Sequence, residues 1–349
     1  DIAVVGIAGK FPAAESVSEF WQNLLDGRDC ITRFSADEID PLIDLDIASS
    51  PNYVRARGLM PDTDAFDARF FGIRPREAQI MDPQQRIFIE TCWHALEDAA
   101  CDPARFEGRI GVFAGTGDNS YLWNYVLKDD EAISALGEHQ THILNERDYL
   151  TTRVAYKLDL RGPAVAIGTA CSTGLVAVCH AVESLRAGNC DAAIAGGIYV
   201  PTPDMSGYLY QEGGISSADG HCRPFDKDAD GTVFGSGTAA LVLRRLKDAK
   251  ADGDRIYAVI RGVATNNDGA DKMSFMAPSV IGQRDVIRSA VKDAGVDSAE
   301  IAYVEAHGTA TPIGDPIEFS ALSTAPVSYT HLTLPTMLAQ CRSRWSPLH

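Results

Sequence analysis

A series of short apolar segments, several closing on small residues, alternates with longer stretches of helical periodicity. That rhythm restricts the fold of this chain more than any other feature. The segments read "DIAVVGIAG", "RIGVFAGTG", "AVAIG", "AAIAGGIYV", "TAALVLRRL", "YAVIRGVAT" and "IAYVEAHG", with amphipathic stretches such as 76–100 and 282–295 between them. Short buried strands joined through helices predict an α/β fold in layers, with helices covering a central sheet. In open α/β sheets the carboxyl edge of the strands is where sites are built. Residues 35–75, rich in Asp and Pro and poor in periodicity, read as an excursion or lid-like loop. There is no strict repeat, although "GTACSTG" and "EAHGTATPIGD" both follow apolar strands, so the two halves of the chain could be analogous.

Within that frame, Cys171 stands out. "AVAIG" leads in as a strand and "STGLVAVCHAVESLRAG" leaves as a helix, so the thiol sits on a sharp strand-to-helix turn, as in a nucleophile elbow. Leu175, Val178, Cys179, Val182 and Leu185 fall on or near one face of that helix. Gly188 stands where a C-cap belongs, and Arg186 lies near the negative end of the helix dipole. Unpaired N–H groups at a helix start favour a thiolate. The small neighbours Gly168, Ala170 and Gly174 would let an acyl chain approach the backbone. An esterase-type serine at Ser172 is the competing reading, but that motif needs Gly two residues earlier, where Ala170 stands. His307 follows an apolar strand and precedes a Gly/Thr/Pro-rich loop, which places it at a strand's carboxyl end, the edge expected for Cys171.

Other motifs carry less. "DKDADG" (226–231) imitates a calcium loop, but its twelfth position is Gly237 instead of a bidentate Glu, and a solvated turn suffices. "GTGDNS" (115–120) lacks a P-loop lysine and reads as a sheet-edge turn. Core packing is the expectation for Cys92 and His94. The net charge of −17 argues against nucleic acid as a partner. No run approaches the length of a membrane span, so no membrane association is expected. The eight cysteines show neither a C-x-x-C pair nor zinc spacing, which predicts no metal site. With no leader visible ahead of Asp1, reduced thiols in the cytoplasm are expected.

The residues also match a known family. From Asp1 to about Ala325 the chain resembles the β-ketoacyl synthase domain of modular type I polyketide synthases, among the thiolase-like condensing enzymes. The resemblance rests on "IAVVGIAGKFP", "FDARFFGIRPREAQIMDPQQRIFIETCWHALEDA", "GTACSTGLVAVCHA", "SGYLYQEGGISSADGHCRPFDKDADGTVFGSG", "TNNDG" and "VEAHGTATPIGDPIEF". It implies a thiolase-like α-β-α-β-α layered fold. Residues 1–250 would form the N-terminal half with the nucleophile elbow, and 251–325 the start of an incomplete C-terminal half. It implies that Cys171 accepts an acyl chain from an acyl carrier protein and that His307 helps decarboxylate a malonyl-type extender. It also implies a homodimer pairing the strands at 164–167, and no metal or organic cofactor.

There are departures. Gly168 stands where the family usually carries Asp, Gly174 replaces a common Ser, and Ser236 replaces a polar or acidic residue. Ser274 and Met276 replace Gly and Thr, which would narrow or reshape an acyl pocket. The family's second histidine, nearby lysine and late Gly-rich oxyanion loop are not found, and His331 is not a substitute. Residues 326–349 contain no Asp or Glu, whereas all 48 acidic residues precede them. "PVSYTHLTLPT" also resembles a translated sequencing adaptor. The tail is therefore expected to be non-native or disordered, and the chain incompetent for full condensation. Two alternatives follow: an acyl-holding or scaffold domain that does not elongate, and an α/β hydrolase using Ser172.

Overall fold

The structure, a computed structural model, describes residues 1–325. The expectations for 326–349, His331 included, lie outside the described residues. The strands are β1 (Ile2–Lys10), β2 (Ile31–Arg33), β3 (Tyr53–Val54), β4 (Ala56–Gly58), β5 (Ile110–Thr116), β6 (Ala164–Ala166), β7 (Ala192–Tyr199), β8 (Tyr208–Leu209), β9 (Gly237–Arg245) and β10 (Ala258–Ile260). They divide between two compact units. One is built from 1–20, 59–205 and 235–260, the other from 21–58, 206–234 and 261 onward.

The first unit is organised by a six-stranded sheet in the order β10-β1-β9-β7-β5-β6. β7, β5 and β6 run parallel, and β10, β1, β9 and β7 pair antiparallel. Ala192–Ala195 of β7 are fully buried, so both faces of the sheet are covered there. The helix Pro83–Asp98 packs on β1, β9 and β7, and the helix Thr173–Arg186 packs on β7, β5 and β9. Ile87, Phe88 and Ile89 of the first helix join Val112, Ile194 and Val242 of the strands in one core. The stretch 76–100, expected as one amphipathic element, is two helices, Pro75–Ile80 and Pro83–Asp98. The Asp82 carboxylate accepts the Gln84 N–H and Pro83 takes the first helical position, so the Asp-Pro pair starts a new helix.

The second unit contains the two-stranded ladders β2–β4 and β3–β8. Its helices Val280–Ala294 and Gly314–Thr324 pack on each other. Ser279 caps the start of the former and Gly295, in the left-handed region, ends it. The Arg288 guanidinium donates to the carbonyls of Thr324 and Ala325, closing the last turn of its neighbour. Residues 35–75 are therefore not one lid: up to Gly58 they supply ladders of the second unit, and beyond it they join the first. "IAYVEAHG", expected as a strand, forms neither helix nor strand. Ile301 and Tyr303 are largely exposed, and no second large sheet exists among the described residues to bury such a segment.

Candidate active site

β6 lies at one border of the sheet, in register with β5 through Val112–Ala164, Phe113–Val165 and Ala114–Ala166. The ladder continues one residue further, where Ile167 N–H donates to Ala114 O at 2.9 Å. Gly115 permits this approach. A Cβ there would collide with the Ile167 carbonyl and lie 2.6 Å from Thr173 Cγ2. The chain then passes through Gly168 and Thr169 into a tight turn, Ala170–Ser172, and directly into the helix Thr173–Arg186. Ala170 adopts φ +52°, a left-handed conformation that an alanine takes only under strain, immediately before Cys171. Thr169 N–H donates to Thr173 Oγ1 at 3.0 Å, and Ser172 Oγ–H donates back to Thr169 O at 2.9 Å. The Ser172 hydroxyl thus braces the turn.

Cys171 is exposed at this strand-to-helix turn. On either side of it, a Cβ added at Gly168 or Gly174 would meet nothing within 4 Å. Behind it, Cys179, Val182 and Leu185 are buried as expected, with Ala177 and Ala181 beside them. Leu175 departs from expectation: it is 76 % exposed, although Thr173 of the same turn packs against Gly115 of β5. The helix ends in a Schellman arrangement. Gly188, at φ +73°, donates to Leu185 O and Asn189 donates to Ser184 O.

His307 belongs to the second unit and is exposed. Its position is set through its backbone. One Glu318 oxygen accepts the His307 N–H at 2.7 Å and the other accepts the Gly308 N–H at 2.9 Å. Three residues earlier on the same helix, Asp315 accepts the N–H groups of Phe225 (2.6 Å) and Ala310 (3.0 Å). The N-terminal part of the helix Gly314–Thr324 therefore presents two carboxylates, at i and i+3, to the loop that carries His307. Asp315 is almost fully buried, and burial pushes its pKa up despite the two N–H donors; Glu318 adds to the rise and His307 opposes it. Sequence reasoning missed both carboxylates. The available signal was "GDPIE", an acidic pair at helical spacing where a helix begins.

The remaining candidates fall elsewhere. Asp226 accepts the Asp228 N–H and Asp230 accepts the Ala218 N–H, so "DKDADG" forms a turn; no cluster of metal-ligating side chains occurs among the described residues. "GTGDNS" is a sheet-edge turn, with Asn119 capping the helix Ser120–Asn124. Cys92 is in the core, where burial pushes its thiol well up, but His94 faces solvent on the opposite side of the helix. Ser236 is buried and accepts the Met60 N–H at 2.7 Å. Ser274 and Met276 are exposed. No described helix is long and apolar enough to cross a membrane.

Comparison with known proteins bears on this arrangement. Residues 1–249 match the family description "Beta-ketoacyl synthase, N-terminal domain", and residues 257–344 match "Beta-ketoacyl synthase, C-terminal domain". A component of the phenolphthiocerol/phthiocerol polyketide synthase of Mycobacterium tuberculosis is 47% identical over 350 residues, covering 98% of this chain and 24% of that protein. Polyketide synthase PksL of Bacillus subtilis is 41% identical over 340 residues, covering 95% and 7%. The chain thus spans a small share of the length of these relatives. Among solved structures, ketosynthase twelve of the bacillaene polyketide synthase from Bacillus amyloliquefaciens superposes with a TM-score of 0.87 at 35% identity, over 99% of this chain and 64% of that one. The module 1 ketosynthase of the bacillaene synthase of the same species gives 0.82 at 36%, over 94% and 58%.

Proposed function

The chain belongs to the β-ketoacyl synthase family, with its thiolase-like fold, and from that premise we propose that it carries the carbon–carbon bond-forming site of a modular polyketide synthase. Cys171 is the acyl acceptor. Its thiolate attacks the thioester of a carrier-bound chain, the carrier thiol leaves, and the chain is held as an S-acyl enzyme. The Cys171 backbone N–H donates to the oxyanion of each tetrahedral intermediate. His307 donates a hydrogen bond to the thioester carbonyl of a malonyl-type extender while CO₂ departs and enolate charge develops. The resulting carbanion attacks the Cys171 thioester, the thiolate is expelled, and the carrier holds a β-ketoacyl chain two carbons longer. The sequence balances without a metal or an organic cofactor.

The observation that carries this reading is the exposed thiol on a strained strand-to-helix turn with open space beside Gly168 and Gly174. A carrier protein bearing phosphopantetheine-linked chains is the partner, and the cytoplasm, where thiols stay reduced, is the compartment. A homodimer through β6 is supported by that strand's position at the sheet border and by the exposed Val165, Leu175 and Tyr156 around it.

Intact-mass spectrometry after incubation with an acyl-N-acetylcysteamine thioester tests the first step. One acyl adduct is expected on the wild type, none on Cys171→Ala, and an undiminished adduct on Ser172→Ala. Loss of the adduct on Ser172→Ala alone would overturn the assignment. Adding a malonylated carrier protein then reads the second step, and a stable adduct with no β-ketoacyl product would place the chain in the acyl-holding class.

A further inference from the structure

Gln84 is completely buried yet polar, and its carboxamide is fully engaged. Its Oε1 accepts the N–H of Gly117 at 3.1 Å and that of Val200 at 3.3 Å, the first residues beyond β5 and β7. Its Nε2 donates to Asp82 Oδ2 at 3.1 Å and to the Asp118 carbonyl at 3.3 Å. One side chain therefore fastens the carboxyl ends of two neighbouring parallel strands to the start of the helix Pro83–Asp98. A buried amide with both ends satisfied has one orientation, and displacing it leaves several buried groups unpaired.

The fastened segment touches the nucleophile turn. Gly117 lies two residues beyond Gly115, the position on β5 against which the Ile167 carbonyl and the Thr173 methyl pack. Cys171 stands between those two residues in the chain. A shift of 115–117 is therefore transmitted to the turn that aims the Cys171 thiol and its backbone N–H.

We propose that Gln84 is a positioning residue for acyl transfer, holding the ends of β5 and β7 so that the Cys171 turn presents its N–H to the developing oxyanion. The inference rests on Cys171 being the acyl acceptor. Acyl transfer needs the oxyanion donor in place, whereas alkylation of the same thiol by iodoacetamide does not. The ratio of the two rates therefore separates aim from folding or mere access.

The experiment measures both rates at Cys171 by peptide mass spectrometry on the full chain, for the wild type, Gln84→Leu, Gln84→Glu and the exchange Asp82→Asn with Gln84→Glu. Gln84→Leu keeps the shape and loses the hydrogen bonds; the acylation-to-alkylation ratio is expected to fall at least about tenfold. Gln84→Glu sets two carboxylates together and is expected to fall similarly. The exchange restores the donor–acceptor pair between residues 82 and 84 but leaves the Asp118 carbonyl without its donor, and is expected to recover part of the ratio lost in Gln84→Glu. Where Gln84→Leu does not fold, the Glu variant and the exchange decide. A wild-type ratio in the folded variants, with only a lowered Tm, overturns the proposal. A wild type that takes no acyl group on Cys171 instead overturns the assignment of the nucleophile, and the inference falls with it.

Discussion

Replacing Asp82 by Asn should make the protein less sensitive to pH in a defined direction. Asp82 is 2 % exposed, and burial raises its pKa from the ordinary 3.8 to about 6, outweighing the Gln84 hydrogen bonds and the nearby Arg86 and Arg147 that pull it down. Below the ordinary carboxyl range both the folded and unfolded chains hold this proton, and the group contributes nothing to stability. As pH rises, the unfolded chain releases the proton first while the folded chain retains it, so the folded state loses ground. The loss is complete above the folded value. With each tenfold change in proton affinity worth about 1.4 kcal/mol, it amounts to about 3 kcal/mol. Asn keeps the capping oxygen for the Gln84 N–H, but faces the Gln84 amide with a second donor, a pH-independent cost of about 1 kcal/mol. Urea unfolding of both proteins from about pH 3 to 7 reads the difference in stability. It should move in favour of the variant by about 3 kcal/mol across that window, most steeply between the two pKa values. A difference flat to within about 0.5 kcal/mol would refute the reasoning.

Gly115→Ala should cost about 1–3 kcal/mol by urea unfolding, because its Cβ meets the Ile167 carbonyl, and should also slow acyl loading of Cys171. Gly168→Asp should leave stability within about 0.5 kcal/mol of the parent, because the space beside that glycine is open. Asp315→Ala should destabilise by about 2–4 kcal/mol, since the part-buried Phe225 and the buried Ala310 N–H groups lose their acceptor; Asp315→Asn should cost less, and calorimetry ranks the two. Val165→Lys, on the border strand, should shift light-scattering mass toward the monomer if β6 is the pairing strand; an unchanged dimer would move the interface elsewhere.

The long strands could be read from the sequence because short apolar runs are local signals, and β1, β5, β7 and β9 lie where those runs stand. The turn bearing Cys171 was legible for the same reason. What escaped depends on partners remote in sequence. "IAYVEAHG" has the composition of a strand, but a strand exists only where a neighbour pairs with it. Leu175 has the right helical phase, yet its side chain is exposed. Gln84 accepts an N–H from residue 200, and Asp315 one from residue 225. Such buried acceptors carry no periodic signature, because their position depends on which distant backbone N–H groups converge on them. The break at Asp82 was readable and was missed, since Asp followed by Pro is a start signal inside an otherwise continuous pattern.

The location of β1 has a consequence for biosynthesis. The strand leaves the ribosome well before both of its strand partners, β9 and β10, which lie beyond residue 236. At about 5–20 residues per second, the nascent strand waits roughly 10 to 45 s for a neighbour. Throughout that interval "IAVVGIAG" is an apolar β-forming segment with both edges unpaired, a natural client for a chaperone and a seed for aggregation under overexpression. Extra chaperone should therefore raise the soluble yield.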